Sequence, residues 1–253
     1  MSGYGIFAAY YDALMEMDYS ALAEYYLSVF RHFGHEPKCL LDAACGTGSL
    51  TLEFAERGID VIGVDGSPEM LSVAVNKAQK AQSEILFLCQ PLTVLDLYGT
   101  VDSAVCSMDS VNHLESGRQV TAFFKRAALF LEDNGLFVFD ANTIYKHACV
   151  LGNNAFVSET GKLYCVWQNA YDPDGHSVEI TLDFFERDGD VYIRGGEDFS
   201  ERAYSVPQLE QMLDAAGFDV CGVFDFMTLQ PPRETSERVV IAARKNPQKS
   251  RKT

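Results

Sequence analysis

The chain has 253 residues, 47% hydrophobic and 22% charged, with a formal net charge of −16 at pH 7 and a pI near 4.6. That length holds one full α/β domain with a substantial insertion, or two small domains, and the composition is that of a soluble globular protein. No apolar run approaches the ~20 residues of a membrane-spanning helix, and a surface this acidic repels long phosphate backbones, which bind through clustered Lys and Arg.

A small-molecule or protein substrate is therefore expected, and no nucleic acid or membrane partner. The start, Met1-Ser2-Gly3-Tyr4, lacks the basic-then-apolar pattern of a secretion signal. Seven cysteines (39, 45, 89, 106, 149, 165, 221) are odd in number, and none forms a Cys-x-x-Cys pair. They read as reduced core residues of a cytoplasmic protein, with no metal site.

In chain order, apolar residues at Leu22, Tyr25, Tyr26, Val29, Phe30 and Phe33 predict a helix over Ala21 to Phe33. Lys38 to Leu41 is a first strand entered from Pro37. It runs into Asp42-Ala43-Ala44-Cys45-Gly46-Thr47-Gly48 and then a helical pattern from Ser49 to Arg57. A second apolar strand, Asp60 to Val64, ends in Asp65, and Ser67 with Pro68 starts a helix running to about Ala81. Strands follow at Ile85 to Cys89 and Val101 to Ser107, then a helix from Gln119 to Leu131 stopped at Asn134-Gly135, and a fifth strand at Leu136 to Asp140. Alternation of this kind implies right-handed crossovers and a parallel sheet covered on both faces.

Between Ala155 and Phe199 the pattern turns extended, with turn signals at Glu159-Thr160-Gly161, Asp172-Pro173-Asp174-Gly175 and Asp188-Gly189-Asp190. Four antiparallel strands are predicted (155–159, 162–170, 176–187 and 190–199), an insert spanning 151–203 within a domain made of 1–150 and 204–245. Helical periodicity returns over Pro207 to Ala216, and strands at Val220 to Phe226 and Arg238 to Ala243 close the chain. The basic stretch from Arg244 to Thr253 reads as a solvated, disordered tail, with 246–253 lying outside the domain.

A strand, an acidic residue, a Gly-x-Gly turn, a helix and a second strand ending in an acid build a nucleotide-type site at the carboxyl end of a parallel strand. Asp65, nineteen residues beyond Gly46, can accept both hydroxyl protons of a ribose. Thr51 stands where a dinucleotide fold has a small residue, and the charge of Asp42 disfavours a nearby phosphate, so a cationic, phosphate-free ligand fits better.

With these residues the chain resembles the class I S-adenosylmethionine-dependent methyltransferases. It is most similar to bacterial small-molecule enzymes with a β insert after strand five, akin to sugar-nucleotide amino N-methyltransferases. The resemblance implies a doubly wound, mostly parallel seven-stranded α/β sheet with an antiparallel final strand, and S-adenosylmethionine as cofactor. It places the methionine end on Asp42, Ala44, Cys45 and Gly46, with Asp42 accepting from the ligand ammonium directly or through water. The ribose falls on Asp65 with Gly66 and Met70 alongside, and the adenine end on Gln90, Pro91 and Leu92. Pro91 stands where the family has an acid, so Gln90 or a backbone carbonyl would hold the adenine.

Tyr11-Asp12 and Tyr19 match an N-terminal motif that folds over the cofactor. The segment from Ser107 to Leu114 faces sulfur and acceptor, with Asp109 or His113 able to take a proton. Tyr164, Trp167 and Tyr171 are expected to wall the pocket of a small-molecule acceptor, with Glu201 to Tyr204 at its exit. The insert could equally form a homodimer through its sheet edge. Transfer to nitrogen or oxygen is implied. A non-catalytic binding protein, an NAD-dependent dehydrogenase and an RNA methyltransferase stay open as alternatives.

Overall fold

The computed structural model describes residues 3–250. Two helices, α1 (Gly3–Met15) and α2 (Tyr19–His32), precede the first strand. Asp18 caps α2 by accepting from the Ala21 N–H at 2.9 Å, which draws the helix start ahead of its apolar stripe. The alternating part follows: β1 (Cys39–Ala43), α3 (Ser49–Glu56), β2 (Asp60–Asp65), α4 (Pro68–Lys80), β3 (Leu86–Cys89), β4 (Val101–Cys106), α5 (Gly117–Phe130) and β5 (Leu131–Asn142). Ser67 accepts from the Met70 N–H and Pro68 opens α4, as the sequence indicated. After four insert strands come α6 (Val206–Ala215) and, beyond it, the closing strand pair.

The insert strands are β6 (Ala155–Thr160), β7 (Leu163–Asp172), β8 (Ser177–Asp188) and β9 (Val191–Arg202); the closing pair is β10 (Phe218–Asp225) and β11 (Arg238–Lys245), with a last turn, α7 (Pro247–Ser250). The large sheet has the order β10-β11-β5-β4-β1-β2-β3. Strands β1 to β5 pair in parallel and β11 runs antiparallel to both neighbours. Strand order reverses beside β1, and a ligand crevice belongs at the carboxyl ends of β1 and β4.

One face of this sheet buries Phe123, Phe124, Phe137 and Phe139 under α5. The other buries Phe54 with Leu22, Tyr26 and Phe30 of α2. The insert is a separate antiparallel sheet in the order β6-β7-β8-β9. Its inner face carries Leu163, Cys165, Ile180, Leu182 and Phe184, and Phe7, Tyr10 and Leu14 of α1 pack on it. Val157, Tyr164, Tyr192 and Ile193 are exposed. No helix among the described residues is long and apolar enough to cross a membrane.

The expected disordered tail is corrected over its described part. β11 continues to Lys245, where Arg244 donates to the Phe33 and Asn134 carbonyls and Lys245 to that of Leu131. Lys249 reaches Asp214 and Asp219 at 2.5 and 2.6 Å. The basic run is docked because acids of α6 and β10 face it; residues 251–253 lie outside the described chain.

Candidate functional site

The turn after β1 is built from left-handed backbone at Ala44, Gly46 and Gly48, with φ of 61°, 55° and 73°. A Cβ on Gly48 would sit 2.8 Å from the Ala74 Cβ, so glycine there lets α3 and α4 approach. A Cβ on Gly46 would meet no protein atom within 4 Å; that side faces open space. The Gly46 N–H donates to Asp65 Oδ2 and the Ser67 N–H to Asp65 Oδ1, each at 2.8 Å. Asp65 thus ties two loops together and keeps further lone pairs free. Burial raises its pKa, against the two backbone donors.

Asp42 lies beneath the turn, fully buried. Thr51 Oγ1 donates to its Oδ2 at 2.6 Å, while Oδ1 has no partner among the described residues. Burial pushes its pKa up to about 7 despite the Thr51 bond, helped by the charge of Asp65. The unusual threonine thus serves the unusual aspartate.

A cavity of about 810 Å³ opens above the turn. Gly46, Asp65, Gly66, Met70, Pro91 and Leu92 line one side. Trp167, Leu182, Glu197, Phe199 and Glu201 of the insert line the other, with Asp109 and His113 between. A small recess beside it holds Tyr19, Cys45 and Ser107, and Tyr11 and Ala44 border both spaces. Burial raises the Cys45 thiol well above its ordinary value, so it is a neutral wall.

Helix α1 brings Tyr11 to this place through Asp12, which accepts from Thr47 Oγ1 at 2.7 Å and Ser49 Oγ at 2.9 Å and also pairs with Lys77. The Tyr19 hydroxyl is buried without a hydrogen-bond partner among the described residues, its pKa raised by burial and by the charge of Asp12.

Three expectations change here. Gln90 does not line the cavity, because both ends of its amide bond the Asp96 backbone, at 2.8 and 3.1 Å. The apolar Pro91 and Leu92 are left to form that wall. Asp42 does not line it either; the turn covers it. Of the three insert aromatics only Trp167 lines the cavity: Tyr164 is on the exposed face near Phe185, and Tyr171, on the same face as Trp167, packs against the insert core with its hydroxyl 3.4 Å from His176.

No local pattern in the chain points to the ion cluster behind Asp109. Arg238, at the start of β11, lies 3.3 Å from Asp109 and 3.2 Å from Asp140. Asp140 is fully buried and accepts from the Tyr26 hydroxyl and from the Met108 and Asp109 N–H groups at 2.5, 2.8 and 2.7 Å. The Asn142 amide also donates to Asp109. Burial disfavours the Asp109 carboxylate, but the charges of Arg238 and Lys146 outweigh it and its pKa falls below the ordinary aspartate value. Such a carboxylate is a poor proton acceptor. His113 is 44% exposed, with Nε2 3.9 Å from Glu201 and its ring 5.3 Å from that of Phe199.

Residues 40–135 match the methyltransferase domain family. Over 245 residues, 96% of this chain and 99% of the other, the chain is 35% identical to a candidate methyltransferase of Geobacillus sp. (strain WCH70). The chain belongs to the S-adenosylmethionine-dependent methyltransferases.

A crystal structure of such a methyltransferase from Clostridium acetobutylicum ATCC 824 superposes with a TM-score of 0.87 at 29% identity, covering 96% of this chain and 99% of that one. The fold is shared with a sugar N-methyltransferase from Streptoalloteichus sp. ATCC 53650, with a TM-score of 0.77 at 20% identity over 93% and 92% of the two chains. The methyltransferase cofactor fits the residues present. Gly46 leaves the space a side chain would fill, Asp65 offers charged acceptors, and Asp42 holds an orphaned anionic oxygen beneath the loop.

Proposed function

We propose that this methyltransferase acts on a nitrogen or oxygen of a small molecule held between the glycine turn and the β insert. The observation that carries the reading is a cavity of about 810 Å³ bordered by Gly46 and Asp65 on one side and by Trp167, Leu182 and Phe199 on the other. Its volume suits a cofactor and a compact guest rather than a polymer, and the net charge of −16 argues against nucleic acid.

In this reading Asp65 grips the ribose hydroxyls, with Gly66 and Met70 alongside, and Pro91 and Leu92 bound the adenine. Ala44, Cys45, Gly46 and Ser107 surround the methionine end, with Tyr11 and Tyr19 over it and Asp42 supplying negative charge from below. S-adenosylmethionine, when bound, supplies an electrophilic methyl on a sulfonium. The chain's own contribution is alignment and exclusion of water. Asp109, held ionised by Arg238, positions and polarises rather than abstracting a proton; His113 is the better placed group to take one from a hydroxyl or ammonium acceptor.

Incubating the protein with methyl-labelled S-adenosylmethionine and a fractionated metabolite extract tests this. Label in the small-molecule fraction supports it; label only in RNA or protein overturns it. A homodimer through the insert is supported by the free edge of β6, where Phe156 and Val157 are exposed, and light scattering showing only monomer would discard it.

A further inference from the structure

Among the described residues five acids line the cavity (Asp65, Glu69, Asp109, Glu197 and Glu201), and no lysine or arginine does. Four of them are engaged. Asp65 accepts two backbone N–H groups, Glu69 the Ser67 hydroxyl and Asp109 the Arg238 ion pair, while Glu201 takes the Asn142 amide at 3.1 Å with His147 at 3.3 Å. Glu197 is the exception. It is 8% exposed, and neither carboxylate oxygen has a hydrogen-bond partner among the described residues.

Its place is set by strand register. Trp167 of β7 pairs with Leu182 of β8, which pairs with Glu197 of β9. Directly opposed residues share a face, and all three line the cavity. The row runs from an indole across an aliphatic side chain to a lone carboxylate, and Phe199, two residues on, extends the same face. A buried carboxylate without a donor is costly, and natural structures keep such groups where a ligand completes them.

We propose that Glu197 is the acceptor-recognition residue of this enzyme and that it seats the ammonium group of a cationic amine, whose apolar part lies along Leu182, Phe199 and Trp167. Each of the other four acids has at least one protein partner, whereas neither oxygen of Glu197 has one among the described residues. Burial, and then the neighbouring Glu69 charge, raise its pKa to about 7, and the positive charge of an arriving cation opposes that rise. The inference rests on the proposed small-molecule acceptor site and narrows its substrate class to amines.

Trp167 is the chain's only tryptophan, so its fluorescence reports occupancy of this row directly. Benzylamine and benzyl alcohol, near-isosteric and differing in charge, are titrated at about pH 8, above the Glu197 value. Benzylamine is expected to bind at least about tenfold more tightly, the increment of one charged hydrogen bond. Glu197→Gln should erase that preference and Glu197→Asp retain it. Equal affinity for the two probes in the unaltered protein, or a preference that survives Glu197→Gln, overturns the inference. Calorimetry with S-adenosylmethionine on the unaltered protein keeps the two readings apart. Cofactor binding without amine preference sinks only the role of Glu197; amine preference without labelled-methyl transfer to any small molecule sinks only the proposed acceptor class.

Discussion

Replacing Asp65 separates a ligand-binding role from a loop-building one. Its two oxygens already hold the Gly46 and Ser67 N–H groups at 2.8 Å, so Asp65→Ala frees two backbone donors as well as any ribose contact. Asp65→Asn keeps one acceptor oxygen in nearly the same volume and removes the charge. If both ribose hydroxyls donate to the carboxylate, the loss is about 1.5–3 kcal/mol of binding, or roughly 10- to 150-fold in Kd. Calorimetric titration with S-adenosylmethionine reads that change, and thermal denaturation of the ligand-free protein reads the loop. Both variants should lose affinity, with the larger loss of melting temperature in Asp65→Ala. A Kd within about twofold of the unaltered protein, alongside a lowered melting temperature, would show that Asp65 serves the turn alone.

Gly48→Ala and Gly46→Ala both strain left-handed backbone by about 1–2 kcal/mol but should fail differently: the first also meets Ala74 at 2.8 Å and destabilises the fold by about 1–3 kcal/mol more, whereas the second projects into open space and adds a loss of cofactor affinity. Chemical denaturation beside calorimetry distinguishes them. Arg238→Met removes the ion-pair partner of Asp140 and leaves Asp109 with the charge of Lys146, and should cost about 3–5 kcal/mol, a fall of roughly 6–20 °C by calorimetry. Asp42 and Glu197 titrate near 7 in the folded chain and near 4 when unfolded. Between those values the folded state holds more protons, so the ligand-free melting temperature should fall as pH rises from about 5 to about 8. Asp42→Asn with Glu197→Gln should flatten that slope; a slope unchanged in the double variant would show that these carboxyls are not the source.

The alternating half of the fold was legible because its signals are local: Ser67-Pro68 for a helix start and the glycines for the turn; Asn134-Gly135, expected as a helix stop, lies inside β5, because α5 already ends at Phe130. The insert strands were legible for the same reason, since Gly161, Gly175 and Gly189 punctuate them. Long-range partners were not. Arg238 sits in an apolar strand, and only its register opposite Asn142 of β5 brings it to Asp140 and Asp109. Alternation divided β7 into two faces, but Trp167 could be assigned inward only once α1 was seen packing on that side. Gln90 was misplaced because Asp96, which occupies its amide, lies across a short helical turn. The basic C-terminal run looked solvated because the acids that hold it, Asp214 and Asp219, come from elements whose neighbourhood no local pattern reveals.

Helix α1 touches the glycine turn through Asp12 and the insert through Phe7, Tyr10 and Leu14. It therefore belongs to the walls of both halves of the cavity. If a guest on either side orders that helix further, the second finds it already in place. Cooperation between the two ligands then follows without any change in the sheet beneath, and by thermodynamic reciprocity each must tighten the other by the same factor.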